Sequence, residues 1–363
     1  MKNRGMELRA QRWLVPAALI GLAACSDGTG PGDGQQGFDA QRVQAGIAAV
    51  ERASSTPVIE AFRVLGQHVG AAGVTGIAAA TPATAADRLI AVIRGIAGLV
   101  GPQSGIQLVP VIRSPVLGKT FVYDPATKKY VVDPSRAGAP ANGVRFVLYE
   151  KDPATEQPNP AKEIGYADLT DENVSAANAV GLKLKVVSGG ITYLEYRFDL
   201  SGSIGSATSV VSGFLSDGTE RVDFNLTTSG QLFGRGGTVT LDARVAVPSH
   251  QFVVTAKVTG TAGVENGDGR VDLTVTAGTD VIQVKVETKA NLLDATFTVN
   301  GRLLATAKGD PQHPDIKGEG GRDLTQEELA ALGAIVGLAE GLFKTFGELL
   351  APAGVLLLLG LGL

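Results

Sequence analysis

The chain has 363 residues, of which 44% are hydrophobic and 19% charged, with 32 basic residues against 36 acidic ones. That balance argues against nucleic acid or anionic lipid headgroups as partners of the whole surface, since both need a basic face. With one cysteine and three histidines, the chain has neither an internal disulfide framework nor a motif of zinc-ligand spacing.

Met1 to Trp13 carries Lys2, Arg4, Arg9 and Arg12 against Glu7, and Leu14 to Ala24 is an uncharged, mostly aliphatic run too short to span a bilayer. It ends in Leu22-Ala23-Ala24-Cys25, and Cys25 is the sole cysteine. The whole resembles the lipobox of bacterial lipoproteins. The resemblance implies thioether lipidation of Cys25, cleavage before it and acylation of the new N-terminus. Ser26 at the next position resembles the class sorted to the outer membrane, so residues 1–24 are expected to be a signal peptide and the mature protein to be lipid-anchored in the cell envelope, on the outer rather than the inner membrane. Loss of the leader leaves 28 basic and 35 acidic residues. Residues 25–37, the lipidated cysteine followed by SDGTGPGDGQQG, have no other apolar group to bury and read as a tether. A Gly-rich chain of this length spaces the body roughly 20 Å from its anchor.

The remaining residues, 38–363, read as a single globular domain. Its first part, 38–118, is Ala-rich with apolar residues at helical spacing: Val43, Ile47 and Val50, then Val58, Ile59, Phe62 and Leu65, and later Leu89, Val92, Ile93 and Ile96. Three helices are expected, with a loop over Gly73 to Ala86.

From 119 to 308 the pattern becomes strict alternation. Leu182, Leu184 and Val186 alternate with Lys183 and Lys185; Leu194, Tyr196, Phe198 and Leu200 with Glu195, Arg197 and Asp199; Val222, Phe224 and Leu226 with Asp223 and Asn225. Leu241 to Val247, Val271 to Val275 and Ile282 to Val286 behave alike, and Ser188-Gly189-Gly190, Ser216-Asp217-Gly218 and Gly278-Thr279-Asp280 separate the runs as hairpin turns. The fold class expected is α+β, mainly β: a large curved antiparallel meander of roughly 12 strands, forming a half-barrel or barrel and covered or plugged by helices from both chain ends. A membrane-spanning barrel is the lesser reading, because aromatic residues are only 5% and girdles of them are missing.

The last part, 309–363, reads as a helix and an apolar tail. Thr325 is placed to cap the helix, Glu328 stands three residues later, and Leu324 and Leu329 flank the cap as a potential staple. Leu332, Val336, Phe343 and Phe346 would form the apolar side of a plug for the sheet. Gly333, Gly337 and Gly341 lie on one ridge, which suggests close approach to another backbone.

Motifs of catalysis are incomplete. Gly118-Lys119-Thr120 lacks the earlier glycine of a phosphate-binding loop, Asn266 to Asp272 lacks the bidentate Glu of a calcium loop, and the acidic residues Asp168, Asp171 and Glu172 read as solvated. No enzyme activity, metal or cofactor is expected. Two functions remain. The first is an envelope lipoprotein that binds or transfers an apolar ligand or lipid on the concave sheet face, lined by Leu194, Tyr196, Phe198, Phe224, Leu241, Phe252 and Phe297. Such an architecture resembles the periplasmic lipoprotein-carrier and receptor proteins of Gram-negative bacteria, without a shared motif. The second is a structural or protein-interaction lipoprotein with an envelope protein as partner, in which the same lining is simply core.

Overall fold

A computed structural model describes residues 40–69, 112, 114–172, 179–203, 206–230, 237–262, 269–290, 292–310, 314–326, 328–329 and 332–333. The chain divides into two units, Met1–Gly37 and Phe38–Leu363, and the described residues belong to the second. Two of the expected helices are present, α1 (Ala40–Ser54) and α2 (Pro57–Val69); the expected third, around Leu89 to Ile96, lies outside the described residues.

Fifteen strands form one sheet. They are β1 (Lys119–Asp124), β2 (Lys129–Val132), β3 (Gly143–Lys151), β4 (Pro158–Asp171), β5 (Ala179–Ser188), β6 (Ile191–Ser203), β7 (Ser206–Ser216), β8 (Arg221–Gly230), β9 (Gly237–Val247), β10 (Phe252–Ala262), β11 (Gly269–Ala277), β12 (Asp280–Lys289), β13 (Leu292–Val299), β14 (Arg302–Gly309) and β15 (Asp315–Lys317). The order runs without interruption from β15 to β3 and ends with β1 and β2. Sequential hairpins of this kind need no crossover, and the turn clusters at Ser188 to Gly190 and Ser216 to Gly218 close them where expected. The two terminal strands do not pair, so the sheet is open rather than a closed barrel.

Two features differ from expectation. Fifteen strands exceed the roughly twelve read from alternation; the edge strands β2 and β15 have only four and three residues, too few for a period of two to register. The sheet is also not wholly antiparallel, because β1 and β3 pair in parallel from Lys119 opposite Val144 to Phe121 opposite Phe146. The β1–β2 hairpin reverses the chain, so β3 resumes the direction of β1 and takes its free side.

The alternation sorts the two faces. Val144, Phe146 and Leu148, Leu182 and Leu184, Leu194 and Tyr196, Val222 and Phe224, Leu241 and Val245, Val254, Leu273 and Ile282 all belong to one buried cluster with residues of both helices. The opposite face carries charge in cross-strand pairs: Arg145 donates to both oxygens of Asp168 at 2.7 and 2.8 Å, Lys183 meets Glu195 at 3.0 Å, and Lys308 meets Asp294 at 3.3 Å. Of the acidic residues Asp168, Asp171 and Glu172, the first pairs with Arg145, β4 continues through the second, and the third lies 3.6 Å from Arg197. Exposed pairs of this type contribute about 0–1 kcal/mol each, so their effect is to keep this face wet rather than to hold the sheet together.

The helices lie across the strands. At 1.5 Å per residue α1 is about 22 Å long, close to the width of the five strands it covers, and α2 is about 20 Å. α1 packs on β7 to β11, and α2 on β2 to β6. Ser55 and Thr56 join them, so the pair reaches across most of the apolar face. Beyond α1 that face continues on β12 to β14 through Ile282, Val284, Ala295, Phe297, Ala305 and Ala307, all buried.

Candidate functional site

The seven residues expected to line an apolar face are brought together. Leu194, Tyr196 and Phe198 stand on β6, Phe224 on β8, Leu241 on β9, Phe252 on β10 and Phe297 on β13, all in one apolar cluster and none more than 7% exposed. The pair of N-terminal helices covers six of them, through Val43, Ala49, Val50, Val58, Ile59, Phe62 and Leu65 of the same cluster, while Phe297 lies beyond the strands that these helices cross. Of the plug residues, Leu332 is buried at 7% in that cluster, while Val336, Phe343 and Phe346 lie outside the described residues.

The two helices cover the face unequally. α2 buries Val58, Ile59, Phe62 and Leu65, large side chains that each contribute about 1.5–3 kcal/mol when removed from water. α1 offers Val43, Ala49, Val50 and Ala53 with Ile47 only partly buried against the cluster, a stripe of smaller buried apolar area. Its small side chains follow from a close approach. A Cβ at Gly46 would fall 2.3 Å from Cγ of Phe252, so only glycine lets the helix backbone rest on that ring.

Polar contacts at the rim fix where α1 sits on the sheet. Near the C-terminal end of α1, Arg52 donates to Glu220 and lies 3.7 Å from Asp217, both beside the β7–β8 turn. His250, in the short 3-10 turn between β9 and β10, puts Nε2 2.7 Å from the other Glu220 oxygen, and the Ser249 hydroxyl is 3.5 Å away. Burial works to raise the Glu220 carboxyl, but the hydrogen bonds from Arg52 and His250 outweigh it and hold the group below the usual range. At the other end, the Arg42 guanidinium fills the space beside Gly278 in the β11–β12 turn. For α2, Lys151 lies 3.3 Å from Glu60, and His68 Nδ1 is 3.1 Å from the Lys128 carbonyl.

Within the lining, Tyr196 and Phe224 form a pair that alternation does not reveal. In register Tyr196 stands opposite Gly213, which stands opposite Phe224 on the next strand. Strands two apart are separated by about 9.5 Å, yet the ring centroids are 6.2 Å apart, so the rings lean toward each other above the glycine. A Cβ on Gly213 would sit 2.5 Å from the Tyr196 Cα and Cβ. The Tyr196 hydroxyl is buried and has no hydrogen-bond partner among the described residues. Burial pushes its phenol far above the ordinary range, so it remains protonated.

The tyrosine-rich segment from Thr120 to Asp168 forms a second, smaller cluster on the other side of β3. Tyr123, Val147 and Tyr149 are buried there against Tyr130. Tyr123 donates to Gln157 at 2.7 Å and Tyr130 to the Val147 carbonyl at 3.1 Å, while His68 meets the Tyr123 ring edge-on at 5.1 Å. Arg145 lies 3.7 Å over the Tyr166 ring while pairing with Asp168. These phenols and guanidinium are used in holding the β1–β2 hairpin and the sheet edge, and no His/Cys/Asp/Glu group among the described residues has the geometry to hold a metal.

The chain matches no protein-family model, no curated protein and no solved structure.

Proposed function

We propose that this protein is a lipid-anchored envelope lipoprotein that receives an apolar ligand or lipid on the inner face of its sheet, with α1 as the cover that yields. The observation that carries the reading is the unequal cover: large apolar residues of the sheet lie beneath a helix whose fully buried side chains are valine and alanine, held at its rim by polar contacts. Such a helix is cheaper to displace than α2, and a bound chain of methylenes restores about 0.8 kcal/mol per group buried. The anchor at Cys25 supplies the membrane proximity that an apolar ligand requires.

The test is to express residues 26–363 in a bacterial periplasm, purify them without detergent, and record a native mass spectrum with solvent extraction of bound material. A discrete, stoichiometric lipid adduct is expected. A clean mass from a stably folded protein overturns the ligand reading. In the full-length chain, Cys25→Ser should abolish the mass added by lipidation and move the protein out of the membrane fraction.

One observation favours the interaction reading instead. Edge strand β2 carries Val131 and Val132, 40% and 39% exposed, at a side of the sheet that pairs with no other strand among the described residues. An edge of that composition accepts another strand. A clean mass spectrum together with a single stoichiometric crosslink at Val131 or Val132 would put this reading first.

A further inference from the structure

We infer that Tyr196 is the hydrogen-bonding residue of the apolar face, and that the ligand carries a neutral carbonyl oxygen, as in an acyl ester, at the point where it meets this phenol. The inference rests on the apolar-ligand reading and names the chemistry of its ligand.

A buried hydroxyl without a partner costs free energy, and a phenylalanine would fill the same space without that cost. Tyr196 is 2% exposed, and its hydroxyl has no partner among the described residues. Its ring is positioned by backbone features, since Gly213 opens the space across β7 into which it leans and Phe224 supports it from β8. The strand that carries it, β6, packs under α2, and its neighbour β7 packs under α1. Tyr196 therefore belongs to the line along which the yielding helix meets the firmly held one. A ligand entering as α1 lifts would reach it there.

The surroundings set the charge of that ligand. Tyr123 and Tyr149 belong to the separate tyrosine cluster, and the other side chains classed as buried and polar, Ser54, Thr120 and Thr228, carry no charge. A carboxylate or phosphate brought to Tyr196 would lack a counter-ion in a low-dielectric setting, which disfavours it strongly. A protonated phenol, in contrast, donates one hydrogen bond to a neutral acceptor. An ester carbonyl flanked by alkyl chains satisfies both conditions, whether it comes from a membrane glycerolipid or from a free ester.

The experiment uses the chain from residue 26 onward, freed of bound lipid, and measures competition against a polarity-sensitive fluorescent probe by methyl dodecanoate, tetradecane and dodecanoate. The ester should compete about tenfold better than the hydrocarbon of equal chain length, the value of one satisfied buried hydrogen bond. Dodecanoate should be the weaker of the two oxygenated compounds at neutral pH. Tyr196→Phe should bring ester and hydrocarbon to equal affinity, with a Tm that is unchanged or raised. A ¹³C-labelled ester carbonyl bound to the unsubstituted protein should show a lowered stretching frequency, a readout that does not depend on the variant folding. If ester and hydrocarbon bind equally, the role of Tyr196 is overturned while the apolar-ligand reading stands. A lowered Tm in Tyr196→Phe also overturns it, because the hydroxyl then has a structural partner. Binding of none of the three overturns both.

Discussion

At the residue scale, the contact that decides how α1 sits is Gly46 on the Phe252 ring. Glycine inside a helix costs about 1 kcal/mol relative to alanine, and here it permits an approach that any Cβ would block. Gly46→Val should destabilise by about 1–3 kcal/mol through overpacking, and Phe252→Ala by about 3–5 kcal/mol through the cavity left. Because the two changes act on one contact, the double variant should be more stable than their sum by about 1 kcal/mol or more in urea denaturation. Additivity would show that the helix does not rest on that ring. Neither residue stands out in the sequence as half of a pair. Gly46 reads as a weak point in a helix, and Phe252 as one more inward aromatic.

At the scale of elements, the start of the C-terminal helix tests how far local pattern reaches. Thr325 and Glu328 form the reciprocal cap expected: the Thr325 hydroxyl accepts from the Glu328 N–H at 3.2 Å, and Glu328 accepts from the Thr325 N–H at 2.9 Å. The leucine staple does not close. Leu324 packs on the sheet core, whereas Leu329 is 47% exposed. Gly333 meets nothing within 4 Å among the described residues, and Gly337 and Gly341 of the same ridge lie outside them. Cap bonds are local and follow from spacing of three residues; the staple depends on where the helix lies against the sheet. Arg322 adds a further partner to the cap, and its hydrogen bonds, followed by that from Thr325, lower the Glu328 carboxyl from 4.5 to about 2. The folded value is the lower one, so Glu328 contributes stability in full above about pH 4.5 and loses it as pH falls toward 2. Thr325→Ala should cost the helix about 1 kcal/mol, seen as faster amide exchange in its first turn. Glu328→Gln should remove the acid dependence of that exchange between pH 4.5 and 2. A variant as acid-sensitive as the parent would mean that another group sets it.

At the scale of the whole molecule, the apolar face is wider than the two N-terminal helices. It continues over β12 to β14, and Leu332 lies in the same cluster. Ending the chain after Arg322 removes Leu332 and should raise binding of a fluorescent lipid while far-UV circular dichroism stays β-rich. A folded, truncated chain that gains no binding would show that the C-terminal segment does not shield the sheet.

The large alternating runs, their hairpin turns and the apolar identity of one face were legible in the residues, because a strand's side chains must alternate and a turn must be able to reverse. So were the two helices with residues at spacings of three and four, and the cap at Thr325. Those are short-range consequences of backbone geometry. Other features depend on which strands become neighbours. Pairing of β1 with β3, the failure of the sheet to close, the lean of Tyr196 over Gly213 toward Phe224, and the Arg52–Glu220–His250 contact join residues far apart in the chain. No local period records such a meeting. The residues alone tell that one face of a long sheet is apolar and that the chain carries helices to cover it; which strands each helix crosses, α1 over β7 to β11 and α2 over β2 to β6, is set by folding, because covering depends on lengths and directions that fit across the strands.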